Sequence, residues 1–332
     1  MKIQKKAAGI VAVSAAAALV LSGCAANDAS GDTGGDSSES GDYALTVIVG
    51  NMADAYYRSL QCGAQAAADE LGVSVSLQGP KAFDTTQQVP IVNSAVSQSP
   101  DAIIIAPTDG TALFPPLQVA HDAGIEILTV DTTLEDDSFL TSSLSADWAE
   151  MGRLAAIELA ESVGDSGQVL AIFSPPGVTT NDLGRAAFEE EMKTNHADVA
   201  YDIQFSQGEA GKSAALTAAA LSRFPGLGGV LTFNGGDAEG AVTALTEAEK
   251  VGDVKFVTGG ARDYQVGLLE DGTASALLVP APFKIGEEAV RTAVAALDGD
   301  EVEAEVSTGI VVATAENMED PEISSAFYRP CD

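Results

Sequence analysis

From Ala44 onward the chain alternates short apolar runs with longer amphipathic stretches, and this alternation restricts its fold more than any other feature. Ala44–Val49 reads as a strand. Tyr56, Leu60, Ala64, Ala67 and Leu71 then recur at helical spacing. Val73–Leu77 is a second strand and Thr85–Ser97 a helix. Ala102–Ala106 reads AIIIA, the continuous apolar run expected of a strand buried on both faces of a parallel sheet. A helix over Ala112–Ala123 leads to a strand at Glu126–Val130. The series is βαβαβαβ, which predicts an α/β fold with a doubly wound parallel sheet.

The pattern then repeats. Helices are expected over Trp148–Val163, Gly184–Lys193, Ala210–Phe224, Ala238–Lys250 and Ile285–Leu297. Strands are expected at Gln168–Phe173, Val199–Phe205, Gly229–Phe233, Lys255–Thr258 and Ala274–Val279. Two successive α/β halves of similar size predict two similar lobes, with a boundary near Ser145–Asp147. Ligands of open α/β sheets bind beyond the carboxyl ends of the strands. The segments to read are therefore Asn51–Tyr57, Pro107–Gly110, Asp131–Thr133, Ser174–Asp182, Asn234–Asp237 and Gly259–Asp263, where polar and aromatic residues collect.

The first 23 residues read as a signal peptide. Lys2, Lys5 and Lys6 form a basic start, and the apolar stretch Ala7–Leu21 is short for a membrane span, which needs about 20 residues. Leu21-Ser22-Gly23-Cys24 resembles the lipobox of bacterial lipoproteins, which implies a lipid on the Cys24 thiol and an anchor on the outer face of the cell membrane. An ordinary signal peptide with a chance cysteine is the alternative. Residues 24–42 are rich in Gly, Ser and Asp and read as a disordered tether.

The formal net charge is −33, and loss of the three leader lysines takes it to −36. A chain this acidic is a poor partner for nucleic acid, and membrane contact is expected through the lipid alone. Once Cys24 is assigned to lipid, Cys62 and Cys331 remain. In an oxidising compartment the pair predicts a disulfide worth about 4–5 kcal/mol by loop-closure entropy; two free buried thiols are the alternative.

Four segments carry a family likeness: VIVGNMADAYYRSLQCGAQAAADELGV, DAIIIAPTDGTAL, AGIEILTVDTTL and GVLTFNGGDAEGAVTAL. In order and spacing the chain resembles the periplasmic sugar-binding proteins of ABC importers, the ribose-binding-protein-like class. The resemblance implies a type I periplasmic binding fold: two Rossmann-like lobes joined by a hinge of three chain crossings. Lobe I would comprise residues 43–146 and 281–309. Lobe II, with the C-terminal tail, would comprise 147–280 and 310–332. A subset of the family carries cysteines in the first helix and at the chain end, which Cys62 and Cys331 match.

The resemblance also implies a ligand set. Asp54 stands where the family hydrogen-bonds sugar hydroxyls, and Tyr56 and Tyr57 where paired aromatics pack on the ring. Asp131 and Asn234 occupy binding positions. The sequence departs from the pattern at four places. Thr132 stands where an arginine is frequent. Arg185 is out of register with the family's cleft arginine, so Asn181 or Asp182 is expected to replace it. Gly260 stands for an aspartate, with Arg262 close by, and Pro280 stands for a glutamine.

Plainer readings exist for each. The tyrosines could be helix-start core residues, although neighbours on a helix point about 100° apart and cannot share one core face equally. Asp131 could be an N-cap, Asn234 a turn residue, and Trp148 either a stacking residue at the cleft or a helix-start anchor.

Catalytic signals are thin. His121 and His196 have no carboxylate or cysteine cluster near them, and HExxH, G-x-S-x-G and zinc-type cysteine pairs are missing. Gly211-Lys212-Ser213 looks like the end of a phosphate loop, but Ser206 stands where its first glycine belongs. No enzyme activity, cofactor or metal is expected. The expected function is that of a monomeric solute-binding lipoprotein. It would take a small neutral sugar or polyol and hand it to an ABC permease. The alternative is a sensor presenting the same closed form to a membrane receptor or kinase.

Overall fold

The computed structural model describes residues 42–164, 166–177, 179–328 and 331. The leader, Cys24 and the tether up to residue 41 lie outside them. The described residues form two six-stranded sheets with helices on both faces of each.

In the first sheet β1 (Ala44–Ile48), β2 (Ser74–Gln78), β3 (Ala102–Ile105), β4 (Glu126–Val130) and β5 (Ser142–Ser145) are joined by a late strand, β11 (Glu305–Ser307). The order is β11-β5-β4-β3-β1-β2, and every pairing is parallel. The second sheet comprises β6 (Gln168–Phe173), β7 (Ala200–Phe205), β8 (Leu227–Thr232), β9 (Lys255–Gly259), β10 (Ala276–Val279) and β12 (Val311–Ala313). Its order, β12-β10-β9-β8-β6-β7, repeats the first, except that β12 runs antiparallel.

The central strands of each sheet are buried on both faces, which explains why strands such as β3 and β6 read as unbroken apolar runs. In the first lobe Val47, Ile104 and Leu128 point to one side and Ile48, Ile105 and Ile127 to the other. Helices α1 (Ala55–Leu71) and α9 (Pro282–Leu297) cover the first side. Helices α2 (Thr85–Ser97) and α3 (Phe114–Asp122) cover the second. In the second lobe α4 (Trp148–Val163) and α5 (Thr179–Asn195) pack on Val169, Ala171 and Leu231. Helices α6 (Ala210–Arg223), α7 (Ala238–Glu247) and α8 (Asp263–Glu270) pack on Leu170, Val230 and Phe256. Each fully buried aliphatic side chain contributes about 1.5–3 kcal/mol.

The chain passes between the lobes after β5, after β10 and between β11 and β12. After β12 a short helix, α10 (Pro321–Ser324), leads to Ala326, Phe327 and Tyr328, which are buried in the core of lobe II. Cys331 then forms a disulfide with Cys62 of α1, in lobe I, with the two Cα atoms 5.1 Å apart. The tail thus packs in lobe II and, through the disulfide pairing expected from the sequence, is also tied to lobe I. Its last described residue is fixed to the opposite lobe.

Other differences from the sequence reading are local. Helix α3 begins at Phe114 because Pro115 and Pro116 suit a first turn and not the interior. Helix α5 begins at Thr179, well before Gly184. Strand β5 reads SSLS and has too little apolar content to register. Among the described residues no helix is long and apolar enough to cross a membrane.

Candidate functional site

The carboxyl ends of both sheets face one cleft, and the cavity there measures about 290 Å³. Its lobe I wall begins at the first turn of α1. Asp54 is the N-cap, accepting the Tyr56 backbone N–H at 2.8 Å, which fixes the direction in which Tyr56 and Tyr57 leave the helix. Helix α1 is held close to α9 by small residues, since a Cβ on Gly63 would strike the Phe283 carbonyl oxygen.

Asp131 follows β4 directly and adopts φ +64°, the left-handed region, which Asp tolerates better than most residues. Its backbone N–H is held by the Leu144 carbonyl at 2.9 Å. The turn aims the carboxylate at the two tyrosines. Tyr57 Oη donates to Oδ2 at 2.6 Å and Tyr56 Oη to Oδ1 at 3.2 Å. Burial pushes the Asp131 carboxyl up to about 6, against the lowering effect of the two tyrosine hydrogen bonds, and nearby Asp54 adds to the rise. The same burial, with Asp131 beside them, drives both tyrosine hydroxyls well above their usual range, so they stay neutral donors.

Aromatic surface surrounds this triad. Tyr56 meets Tyr57 edge-on at 5.3 Å, and Phe83 stacks on Tyr57 at 6.4 Å. Thr132 lines the cavity, but its hydroxyl already donates to the Pro107 carbonyl at 2.8 Å.

The lobe II wall is built of amides and rings. Asn181 Nδ2 donates to Asn234 Oδ1 at 3.1 Å, and Asn234 Nδ2 returns a bond to Asn181 Oδ1 at 2.9 Å. Asn234 Nδ2 also lies 3.1 Å from Ser174 Oγ, and the Ser174 backbone N–H donates to Asn181 Oδ1 at 2.9 Å. The network holds two amides rigidly at the cavity edge. Trp148 lines the cavity beside Phe233, with ring centroids 6.5 Å apart. Its Nε1–H is buried with no hydrogen-bond partner among the described residues. Such an orphan donor is costly unless something accepts from it.

One ion pair spans the cleft. Arg262, just after β9 in lobe II, donates through one terminal nitrogen to Asp54 of lobe I, at 3.0 Å and 3.3 Å from its two oxygens.

Of the residues expected at a site, the structure brings Asp54, Tyr56, Tyr57, Asp131, Thr132, Trp148, Asn181, Asn234 and Arg262 to this cavity. It does not bring Asp182. One turn-facing oxygen of Asp182 accepts the Gly177 backbone N–H at 2.8 Å, and the other faces Arg185 at 3.6 Å. Adjacent residues on a helix point about 100° apart, so Asn181 entering the cleft turns Asp182 out of it. Arg185 pairs with Glu189 at 2.5 Å and stays outside too. Sequence reasoning missed Phe83, Phe233 and Tyr328. Phe83 lies beyond the end of β2, and the strand-end rule could have found it. Tyr328 comes from the tail and carries no local signal.

The geometry has known counterparts. A profile of the periplasmic binding protein domain matches residues 45–301. The chain is 28% identical over 288 residues to the D-ribose/D-allose-binding protein of Pseudomonas aeruginosa, covering 82% of this chain and 88% of that one. Among solved structures, an ABC transporter solute-binding protein from Agrobacterium vitis, bound with α-D-tagatopyranose, superposes with a TM-score of 0.79 at 32% identity. The match covers 86% of this chain and 99% of that one. A carbohydrate-transporter solute-binding protein from Agrobacterium radiobacter, in complex with D-arabinose, gives 0.77 at 28% identity over 86% and 99%. Two parallel-sheet lobes, a cleft at their strand ends and a domain match over most of the chain lead to one conclusion: this chain belongs to the periplasmic binding protein family, in its type I fold.

Proposed function

We propose that this chain is the extracytoplasmic solute-binding lipoprotein of an ABC importer and takes a neutral monosaccharide into the inter-lobe cleft. The observation that carries this reading is the Asp131 carboxylate, oriented by two tyrosine hydroxyls and framed by aromatic rings. Rings cover a sugar's C–H faces, and a carboxylate accepts its hydroxyls in charge-assisted bonds. The opposite wall supplies the amides of Asn181 and Asn234 and the indole N–H of Trp148. Named relatives support a pentose or hexose, since they are described as binding or holding ribose, allose, arabinose and tagatose.

The test is a thermal-shift screen with D-ribose, D-allose, D-arabinose and D-tagatose, followed by calorimetry. A ligand that binds only the native state raises the melting temperature. No shift with any of the four at millimolar concentration would overturn the sugar reading.

Lipid on Cys24 is proposed to hold the protein at the membrane, where a permease would lie. Two or three acyl chains, at about 0.8 kcal/mol per buried CH₂, suffice for lasting attachment. Cys24→Ser should move the folded protein into the soluble fraction. A variant that still sediments with membranes places the anchor elsewhere.

A further inference from the structure

The C-terminal tail does two things at once. Its Tyr328 is buried in the lobe II core, and the Tyr328 backbone N–H donates to the Ala261 carbonyl at 3.0 Å. Three positions later Cys331 is bonded to Cys62 of α1 in lobe I. Three residues span at most about 11 Å when fully extended. The disulfide is thus a short covalent leash between the lobes, additional to the three chain crossings. It sits beside the second of those crossings, because Gly63, next to Cys62, packs on Phe283 in the first turn of α9.

The leash ends at the cleft. Tyr328 lines the cavity, and its ring meets Tyr56 edge-on at 5.7 Å. It occupies the space in front of Gly260. That glycine has φ +92° and no side chain, and a Cβ built on it would lie 3.3 Å from Gln265 Nε2, 3.6 Å from Tyr328 Oη and 3.7 Å from Tyr328 Cε2. The strand end that closes β9 therefore offers the cleft no side chain of its own at this position, and the tail supplies one. The Tyr328 hydroxyl makes no hydrogen bond among the described residues. Arg262, Asp54 and Asp131 all lie near enough to bear on its ionisation, and burial keeps it protonated. A neutral hydroxyl so placed can donate or accept.

We propose that Tyr328 is a ligand-contacting residue that hydrogen-bonds a sugar hydroxyl in front of Gly260, and that the Cys62–Cys331 disulfide holds it beside Tyr56 and limits how far the lobes part. The proposal rests on the sugar-binding reading above. Its test uses the mature protein with D-ribose, D-allose, D-arabinose and D-tagatose in calorimetry, and X-ray scattering without sugar.

Tyr328→Phe keeps the ring and its packing. It should leave the sugar-free melting temperature unchanged and weaken binding by about two- to tenfold, the loss expected for one hydrogen bond. Cys62→Ser/Cys331→Ser should enlarge the sugar-free radius of gyration and weaken binding of the same sugars. If the double variant does not fold, Tyr328→Phe with the disulfide intact still decides the ligand contact. Wild type that binds none of the four sugars defeats the sugar reading and this proposal with it. Wild type that binds, beside a Tyr328→Phe protein of equal affinity, defeats the role of Tyr328 alone. A folded double variant with unchanged radius and affinity defeats the leash.

Discussion

Replacing Asp131 by Asn should move stability and binding in opposite directions. The substitution preserves shape, and Asn tolerates the φ of +64° at least as well as Asp. What it removes is a charge. The Asp131 carboxyl is raised from 3.8 to about 6 by burial, so at neutral pH the fold holds an ionised group it would rather protonate. A displacement of that size corresponds to about 3 kcal/mol, taken as a ceiling because cleft water still reaches the group. An acid whose pKa is higher in the fold than in the unfolded chain binds more protons in the fold. Its contribution is fully present below about pH 4 and is lost as pH rises through about 6. Asp131→Asn should therefore raise the urea midpoint at about pH 7.5, by up to the equivalent of that ceiling, and gain nothing at about pH 4. Sugar affinity at about pH 7.5 should fall at least tenfold, because charge-assisted bonds of about 1.5–3 kcal/mol become neutral ones. Urea unfolding at both pH values and calorimetry with the sugar identified by the screen read the two effects. A variant less stable than wild type at pH 7.5, with unchanged affinity, would falsify the assignment of Asp131 as a strained ligand-binding carboxylate.

Two further outcomes follow from other charges. Arg262→Ala removes the one ion pair described between the cleft walls and should enlarge the sugar-free radius of gyration in X-ray scattering. A pair about one third exposed is worth at most about 1 kcal/mol, so wild type in about 1 M salt should drift toward the variant, and an identical radius would mean the pair holds nothing. Asp237, at the N-cap of α7, is wholly buried and its oxygens have no hydrogen-bond partner among the described residues; burial raises it to about 6. By the same sign, wild type should lose stability as pH rises through about 6. Asp237→Asn should raise the melting temperature above that pH and flatten the profile, and an unaltered profile would place the titration elsewhere.

How much of this was legible depended on burial and on sequence distance. Strands such as Ala102–Ile105 announced themselves because water is excluded from both of their faces. Ser142–Ser145 did not, because its inward residues include a serine and its pairing depends on β4 and on Glu305–Ser307, far along the chain. The segments that hold Tyr56, Tyr57 and Asp131 were marked by one topological rule, that ligands meet the carboxyl ends of parallel strands, and the family resemblance picked those residues out of them. The same rule cannot tell a free hydroxyl from an engaged one. Thr132 lines the cavity, but its hydroxyl donates to the Pro107 carbonyl and is left only as an acceptor. Nor could local sequence reveal Tyr328, which reaches the cleft through tertiary packing in the lobe II core and a disulfide to lobe I.

The charge arrangement narrows the ligand further than the shape does. Two carboxylates and one guanidinium line the cavity among the described residues: Asp54, Asp131 and Arg262. Asp54 and Arg262 neutralise each other across the cleft at 3.0 Å, which leaves Asp131 as the net charge. Both tyrosines that hold Asp131 stay protonated, so they add donors and no compensating cation. An anionic group brought to within about 4 Å of Asp131 would meet a repulsion of about 4 kcal/mol at an effective dielectric of about 20. That is roughly a thousandfold in affinity. Using Arg262 instead would require breaking its pair with Asp54 and would leave that carboxylate unpaired. If the proposed reading holds, the cleft should disfavour sugar acids and sugar phosphates. Of a neutral sugar and its phosphorylated form, the neutral one should bind at least a hundredfold more tightly in calorimetry. Equal binding of the two would mean that Arg262 leaves Asp54 for the ligand, and that the ion pair across the cleft is itself the recognition element.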